Sequence, residues 1–168
     1  MSRTPSSPED QPVPDHATPE RNLILDIFGT LVTFQVRSTE TDGAYSILEM
    51  VVPAGRTKPQ MHVHAATETF QILEGEFEFR ALRGGHTDVF RAASADIVHI
   101  PPNVPHCFRN VAKTASSMQV VIAPGLMEGY FLELGMPTAG GVPVAREPDM
   151  KLVATVGRKY GIELGDPE

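Results

Sequence analysis

The chain has 168 residues, 41% of them apolar, which is enough for one domain with its own hydrophobic core. Its net charge of −7, with residues of both signs interspersed, argues against binding to nucleic acid or to an anionic membrane surface, because both need a basic face. No apolar run reaches the ~20 residues of a membrane-spanning helix, and the N-terminus lacks the apolar stretch of a secretion signal.

The N-terminal segment differs in composition from the rest. Residues 1–22 carry five prolines among Ser, Thr, Glu and Asp, with too little apolar area to offset the entropy of ordering the chain. We therefore predict a disordered arm over 1–22, with His16 exposed in it. A β-barrel domain is predicted over 23–147, and a C-terminal helix with a short tail over 148–168.

From residue 23 onward, short apolar runs alternate with Gly-rich and Pro-rich turns, a pattern that predicts β-strands. The predicted strands cover residues 23–28, 31–37, 45–52, 68–73, 77–82, 87–91, 97–100, 107–110 and 117–122. The segment 83–86 is predicted to be a hairpin loop that contains His86. Many short strands at near-regular spacing indicate an all-β sandwich or barrel.

The tail is the one region with a helical pattern. Pro148 suits a first helical turn, and Gly161 is a suitable C-terminal stop, so we predict a helix over about 148–160 on the outside of the barrel. Its apolar stripe comprises Leu152, Val153, Val156 and Tyr160.

Three histidines and one glutamate form a candidate metal site. His62 and His64 are two apart, so in a strand they point to the same side, and Glu68 has the same parity. His106 must come from another strand, presented by the stiff turn at 101–105. Imidazole and carboxylate together suit one divalent transition metal, which could be Fe, Mn, Ni, Co, Cu or Zn.

The remaining titratable candidates have simpler interpretations. A lone histidine is usually exposed or structural, so His86 is assigned to a loop and His99 to a structural role or to contact with the site residues. Cys107 is the only cysteine, so no internal disulfide can form, and we expect a cytoplasmic protein. We interpret Cys107 as a small buried residue rather than a nucleophile.

The spacing around these residues resembles the two motifs of the cupin superfamily. The first motif is matched by Gly55, His62, His64, Glu68 and Gly75, and the second by Asp96, Pro101, Pro102, His106 and Asn110. The departures are one extra residue before His62, and Ala95 and Asn103 where the motif usually has glycine. Asn tolerates a positive φ better than most residues, so that turn can persist.

The resemblance implies a double-stranded β-helix, the cupin jelly-roll barrel, with His62, His64, Glu68 and His106 as ligands of one metal. Glu68 would stay a ligand or act as a catalytic base on a substrate hydroxyl. By their parity with Glu68, Phe70 and Ile72 are the predicted walls of the substrate pocket. Such barrels often form homodimers, so a homodimer is expected here too.

The C-terminal part is most similar to quercetin-dioxygenase-like single-domain cupins, through Ala123-Pro124-Gly125, Gly129-Tyr130-Phe131 and Lys159-Tyr160-Gly161-Ile162-Glu163. Because one fold hosts unrelated chemistries, three hypotheses remain open. The first is a metal-dependent dioxygenase that acts on a flavonol-like or other enolisable aromatic small molecule. The second is a non-oxidative metal-dependent decarboxylase or isomerase, and the third is a barrel that binds a metal or small ligand without turnover.

Overall fold

The computed structural model describes residues 22–55 and 60–165. Residues 1–21 of the predicted arm, His16 among them, lie outside the described residues. The described chain forms two antiparallel sheets, as the sequence predicts for an all-β jelly-roll barrel. Among the described residues, no helix has the length and apolarity needed to cross a membrane.

Twelve strands are found in the described residues. They are β1 (Leu23–Ile27), β2 (Thr30–Val36), β3 (Ser46–Val52), β4 (His62–Val63), β5 (Thr67–Glu74), β6 (Glu76–Arg83), β7 (His86–Ala93), β8 (Ile97–Ile100), β9 (His106–Asn110), β10 (Ser116–Ala123), β11 (Met136–Pro137) and β12 (Glu163–Leu164). The seven-stranded sheet has the order β11-β1-β2-β3-β10-β5-β8, and the five-stranded sheet has the order β12-β4-β9-β6-β7. All nine predicted strands are present, with small shifts at their ends.

Alternation along the strands places the core between the sheets. In β3 and β10 every second residue is buried, so one face of each strand points inward and the other outward. Phe70 of β5 packs against Phe79 of β6, with ring centroids 5.3 Å apart, which joins the two sheets through aromatic contact. The core is therefore apolar and closed over most of the barrel.

The β6–β7 hairpin is tighter than predicted. Its turn is the pair Gly84 and Gly85, with φ values of 58° and 81° that a two-residue hairpin turn needs. His86 pairs with Arg83 and is the first residue of β7, so its assignment to the loop was wrong. The reason is that a turn with two glycines needs no further residues to reverse the chain.

Two helices follow the barrel strands, and only one was predicted. Helix α1 (Glu128–Leu134) lies inside the predicted barrel domain, 23–147, after the last predicted strand. Helix α2 (Met150–Lys159) begins later than predicted, because the Asp149 side chain caps it by accepting from the backbone N–H groups of Lys151 and Leu152. Pro148 therefore precedes the cap rather than lying in the first turn.

The C-terminal tail is tied to the barrel at two places. Strand β12 pairs with β4, and α2 packs against α1 through Val153, Val156 and Leu134. Glu128 at the start of α1 accepts from the backbone N–H of Ser38 and pairs with the Arg37 guanidinium. The two helices thus cover the barrel beside β1 and β4.

Candidate metal centre

Three strands bring the four predicted ligand residues together. His62 of β4 lies opposite His106 of β9 in the five-stranded sheet, and His64 follows β4 directly. Glu68 enters from β5 of the facing sheet. One possible ligand atom from each residue lies within 4.8 Å of the other three, so the cluster lies between the sheets inside the barrel.

Each imidazole is held by its Nδ1 atom. A carbonyl oxygen can only accept, so all three Nδ1 atoms are protonated and donate to the backbone. The acceptors are the carbonyl oxygens of Gln60, Ala66 and Val104, at 3.0, 3.0 and 2.8 Å from His62, His64 and His106 respectively. This fixes the tautomer of each neutral ring and leaves its Nε2 lone pair available.

The free Nε2 atoms face a carboxylate. Glu68 Oε2 lies 3.2 Å from His64 Nε2 and 2.8 Å from His106 Nε2. Two lone pairs at this separation repel each other unless a proton or a metal cation lies between them. His64, Glu68 and His106 are all buried, and this donor set fits a divalent transition metal.

The pKa values agree with a site prepared for a cation. Burial, the largest single cause, would raise the pKa of Glu68, but hydrogen bonds from His106 and His64 when these rings are protonated, together with the charges of His106 and His62, outweigh it and lower the pKa to about 2. Burial and the neighbouring His106 ring lower the pKa of His62 from 6.5 to about 4. At neutral pH, Glu68 is therefore ionised and His62 is neutral, which are the protonation states that a metal ligand needs.

Two turns of the second motif have the backbone that the usual glycines would provide. Ala95 and Asn103 have φ values of 75° and 61°, in the left-handed region. The Asn103 N–H donates to the carbonyl oxygen of His64 at 2.8 Å, which links the turn before His106 to the segment after β4. The prediction that Asn103 preserves this turn is confirmed.

Asn110 is the centre of a buried hydrogen-bond network. Its Nδ2 lies 3.0, 3.2 and 2.8 Å from the carbonyl oxygens of Val52, Pro53 and Thr114. Its Oδ1 accepts from the Ala112 N–H and the Ser116 hydroxyl, both at 2.9 Å. The network joins the end of β9, four residues after His106, to β3 and β10.

The other predicted residues lie apart from the cluster. Phe70 and Ile72 point inward as expected but are fully buried in the apolar core, and their role as pocket walls stays a prediction. His99 lies on the outward face of β8, bonded through Nδ1 to the Thr69 hydroxyl at 3.0 Å. Of the two roles predicted for His99, contact with the site residues was wrong. Neighbouring residues of β8 point to opposite sides of the sheet, and it is Ile100 that points inward. Cys107 is buried, as predicted.

A cavity of about 230 Å³ adjoins the cluster at His62. It lies between the barrel and the two C-terminal helices, and neither Phe70 nor Ile72 borders it. The helical wall includes Tyr130 and Leu134 of α1, whose i, i+4 spacing was the one available sequence signal for it. The sequence pointed to Tyr130 only through the family resemblance and did not predict this helix, because seven helical residues make a weak pattern.

The fold and the cluster together define a two-sheet β-barrel protein with a candidate metal centre of three histidines and one glutamate. Residues 48–122, which include all four, match the cupin domain family. The chain is 30% identical over 104 residues to quercetin 2,3-dioxygenase from Bacillus subtilis (strain 168), covering 61% of this chain and 29% of that protein. The chain therefore contains a cupin domain.

Solved structures show the same fold at low identity. Oxalate decarboxylase from Bacillus subtilis, a protein with Mn(II) centres, matches with a TM-score of 0.58 and 14% identity over 71% of this chain and 32% of that one. Hydroxypropylphosphonic acid epoxidase from S. wedmorenis matches with a TM-score of 0.54 and 19% identity over 64% and 57%. The chain spans about a third of the length of the two Bacillus subtilis relatives.

Proposed function

We propose that this chain is a metal-dependent dioxygenase that acts on an enolisable aromatic small molecule of the flavonol type. The observation that carries the proposal is the convergence of three imidazole Nε2 atoms and one carboxylate oxygen inside a cupin barrel. The 30% identity to quercetin 2,3-dioxygenase supports the choice of reaction. In such a reaction the organic substrate supplies the electrons and both oxygen atoms enter the product, so no separate reductant is needed.

The residues fit one divalent transition metal. His62, His64 and His106 would hold it through Nε2, and Glu68 through its carboxylate. When bound, the metal supplies a Lewis-acid and redox centre for a substrate oxygen and for O₂. The protein's part is to keep the three rings in one tautomer through their Nδ1 bonds to the backbone, and to keep water away from the buried donors.

Glu68 holds the position of the fourth ligand. Its Oε2 lies between two imidazoles, and the residue is 4% exposed; among the described residues, it is the carboxylate grouped with the three rings. It therefore offsets part of the charge of a bound cation. Its second proposed role is to accept the proton of a substrate hydroxyl at a carboxylate oxygen.

Oxygen uptake tests the reaction. The full chain would be loaded separately with Fe, Mn, Ni, Co, Cu or Zn and mixed with a panel of flavonols and catechols in an oxygen electrode. We expect O₂ uptake with at least one redox-active metal and none with Zn, which has no redox chemistry. Absence of uptake with every metal would refute the dioxygenase, and substrate consumption without O₂ would favour a decarboxylase or isomerase.

A substitution separates the two roles of Glu68. Glu68→Gln keeps an oxygen atom near the rings but removes the charge and the ability to take up a proton. Loss of both metal and O₂ uptake would assign Glu68 as a ligand, whereas full metal content without uptake would assign it as a base. The matched control is Glu49→Gln on the outward face of β3, which should change neither.

A further inference from the structure

The cavity beside His62 is built from both the barrel and the C-terminal helices. Strand residues form one wall and helical residues the other, so the cavity exists only because the tail folds back. The lining residues are Ile27, Phe28, Thr30, Val52, Gln60, His62, Cys107, Phe108, Tyr130, Leu134, Pro148, Met150 and Val153. Among the four residues of the metal centre, His62 alone lines it.

The chemistry of the lining selects against charged ligands. Among the residues that the structure describes, no Asp, Glu, Lys or Arg lines the cavity, and most of the lining residues are aliphatic or aromatic. A small dianion such as oxalate would lose its hydration there without gaining a cationic side chain. A flat aromatic molecule with a few hydroxyl or carbonyl oxygens instead gains apolar contact there and loses little hydration free energy.

Tyr130 supplies the polar group that such a molecule needs. Its ring packs against Phe131 with centroids 5.4 Å apart, and its hydroxyl makes no hydrogen bond to any residue that the structure describes. Burial raises the pKa of Tyr130 to about 12, so the hydroxyl keeps its proton at neutral pH and remains a donor. Tyr130 is half-buried, and its hydroxyl can exchange solvent for a ligand oxygen as its hydrogen-bond acceptor.

We propose that this cavity is the substrate-binding pocket, that α1 and α2 form its outer wall, and that the Tyr130 hydroxyl donates to an oxygen of an uncharged aromatic substrate. This inference rests on the proposed function, because it places the substrate beside His62 of the metal centre. It assigns substrate selection to the C-terminal tail rather than to the barrel core around Phe70 and Ile72.

A binding assay without turnover tests the pocket. Quercetin would be titrated into the full chain loaded with Zn, which cannot transfer electrons, and oxalate would be the charged comparison. Met150→Trp places a large ring at the cavity rim, while Leu152→Trp on the same helix is the matched control. Met150 and Leu152 are 39% and 43% exposed, so neither change disturbs a core, and Leu152 does not line the cavity. Metal content is measured for every variant.

We expect Met150→Trp to weaken quercetin binding about tenfold or more and Leu152→Trp to leave it unchanged. Tyr130→Phe should weaken binding roughly three- to tenfold, the range of one hydrogen bond, at equal Zn content. The inference is overturned if both Met150→Trp and Tyr130→Phe bind quercetin like the wild type, or if Met150→Trp weakens the binding of oxalate, which can coordinate the metal directly, as much as that of quercetin. Binding that follows these expectations without O₂ uptake by any metal form would leave the pocket standing and refute only the dioxygenase.

Discussion

Asn110→Asp is a near-isosteric change that tests the network behind the metal centre. The substitution replaces the amide nitrogen of a residue that is 6% exposed with an oxygen, and it keeps the shape and the acceptor Oδ1. The new oxygen faces three backbone carbonyl oxygens, to which the wild-type Nδ2 is bonded at 2.8 to 3.2 Å. At each of these contacts, a hydrogen bond from an N–H group is replaced by repulsion between two oxygen atoms.

The expected loss follows from the number of protons involved. Nδ2 has two hydrogens for three acceptors, so two full hydrogen bonds are lost, at about 1 kcal/mol each. Buried carbonyl groups left without a donor add about 1–3 kcal/mol. We therefore expect the free energy of unfolding to fall by about 3–5 kcal/mol, a large share of the roughly 5–15 kcal/mol of an ordinary domain.

Urea unfolding at pH 7 and pH 4 measures this loss. At low pH the new carboxyl can take up a proton and donate one bond again, so the destabilisation should be smaller at pH 4 than at pH 7. Ser116→Ala is the matched control, because Asn110 then still accepts from Ala112 and only about 1 kcal/mol is lost. A change in the free energy of unfolding below about 1 kcal/mol for Asn110→Asp would refute the reasoning.

Three further predictions follow from single observations. His106→Ala should sharply reduce the metal content found by elemental analysis, whereas His86→Ala on exposed β7 should not; equal metal in both would show that the site is misassigned. Ala95→Gly should raise the free energy of unfolding by about 1 kcal/mol in urea, because φ is 75° there, and no gain would mean that the strain is absent. The pKa of Glu78 is lowered chiefly by its hydrogen bonds with Arg109, so its contribution is present above the ordinary pKa of 4.5 and lost as pH falls below it. Glu78→Gln should therefore flatten the acid limb of the stability profile, and an unchanged slope would contradict this.

The sequence predicted the His62, His64 and Glu68 part of the cluster because that part of its pattern is local. The alternation of His62 and His64 fixes their common side, and the glycines and prolines around them fix where the strands turn. The same reasoning placed all nine predicted strands, since a period of two is recognisable over four to eight residues bounded by turns. The spacing to His106 was meaningful only through resemblance to a known motif.

Other features depend on contacts between distant parts of the chain. The seven residues of α1 are too few to give a clear helical period, and the contacts of Glu128 with Arg37 and Ser38 hold the helix in place. Parity on β5 identified Phe70 as inward-pointing but could not tell a packed core from an open pocket. That difference arises only when the facing sheet supplies Phe79 and fills the space.

The sequence by itself determined an all-β fold and the turns that present the candidate metal centre, because periodicity and turn chemistry act over a few residues. It joined His106 to the other three residues of that centre only through the resemblance to a known motif. The tertiary structure alone decided which face of β8 carries His99 and where open space remains beside His62. It also decided that α1 and α2 form the outer wall of this cavity. These are consequences of which surfaces meet when sheets and helices pack, and no short segment contains that information.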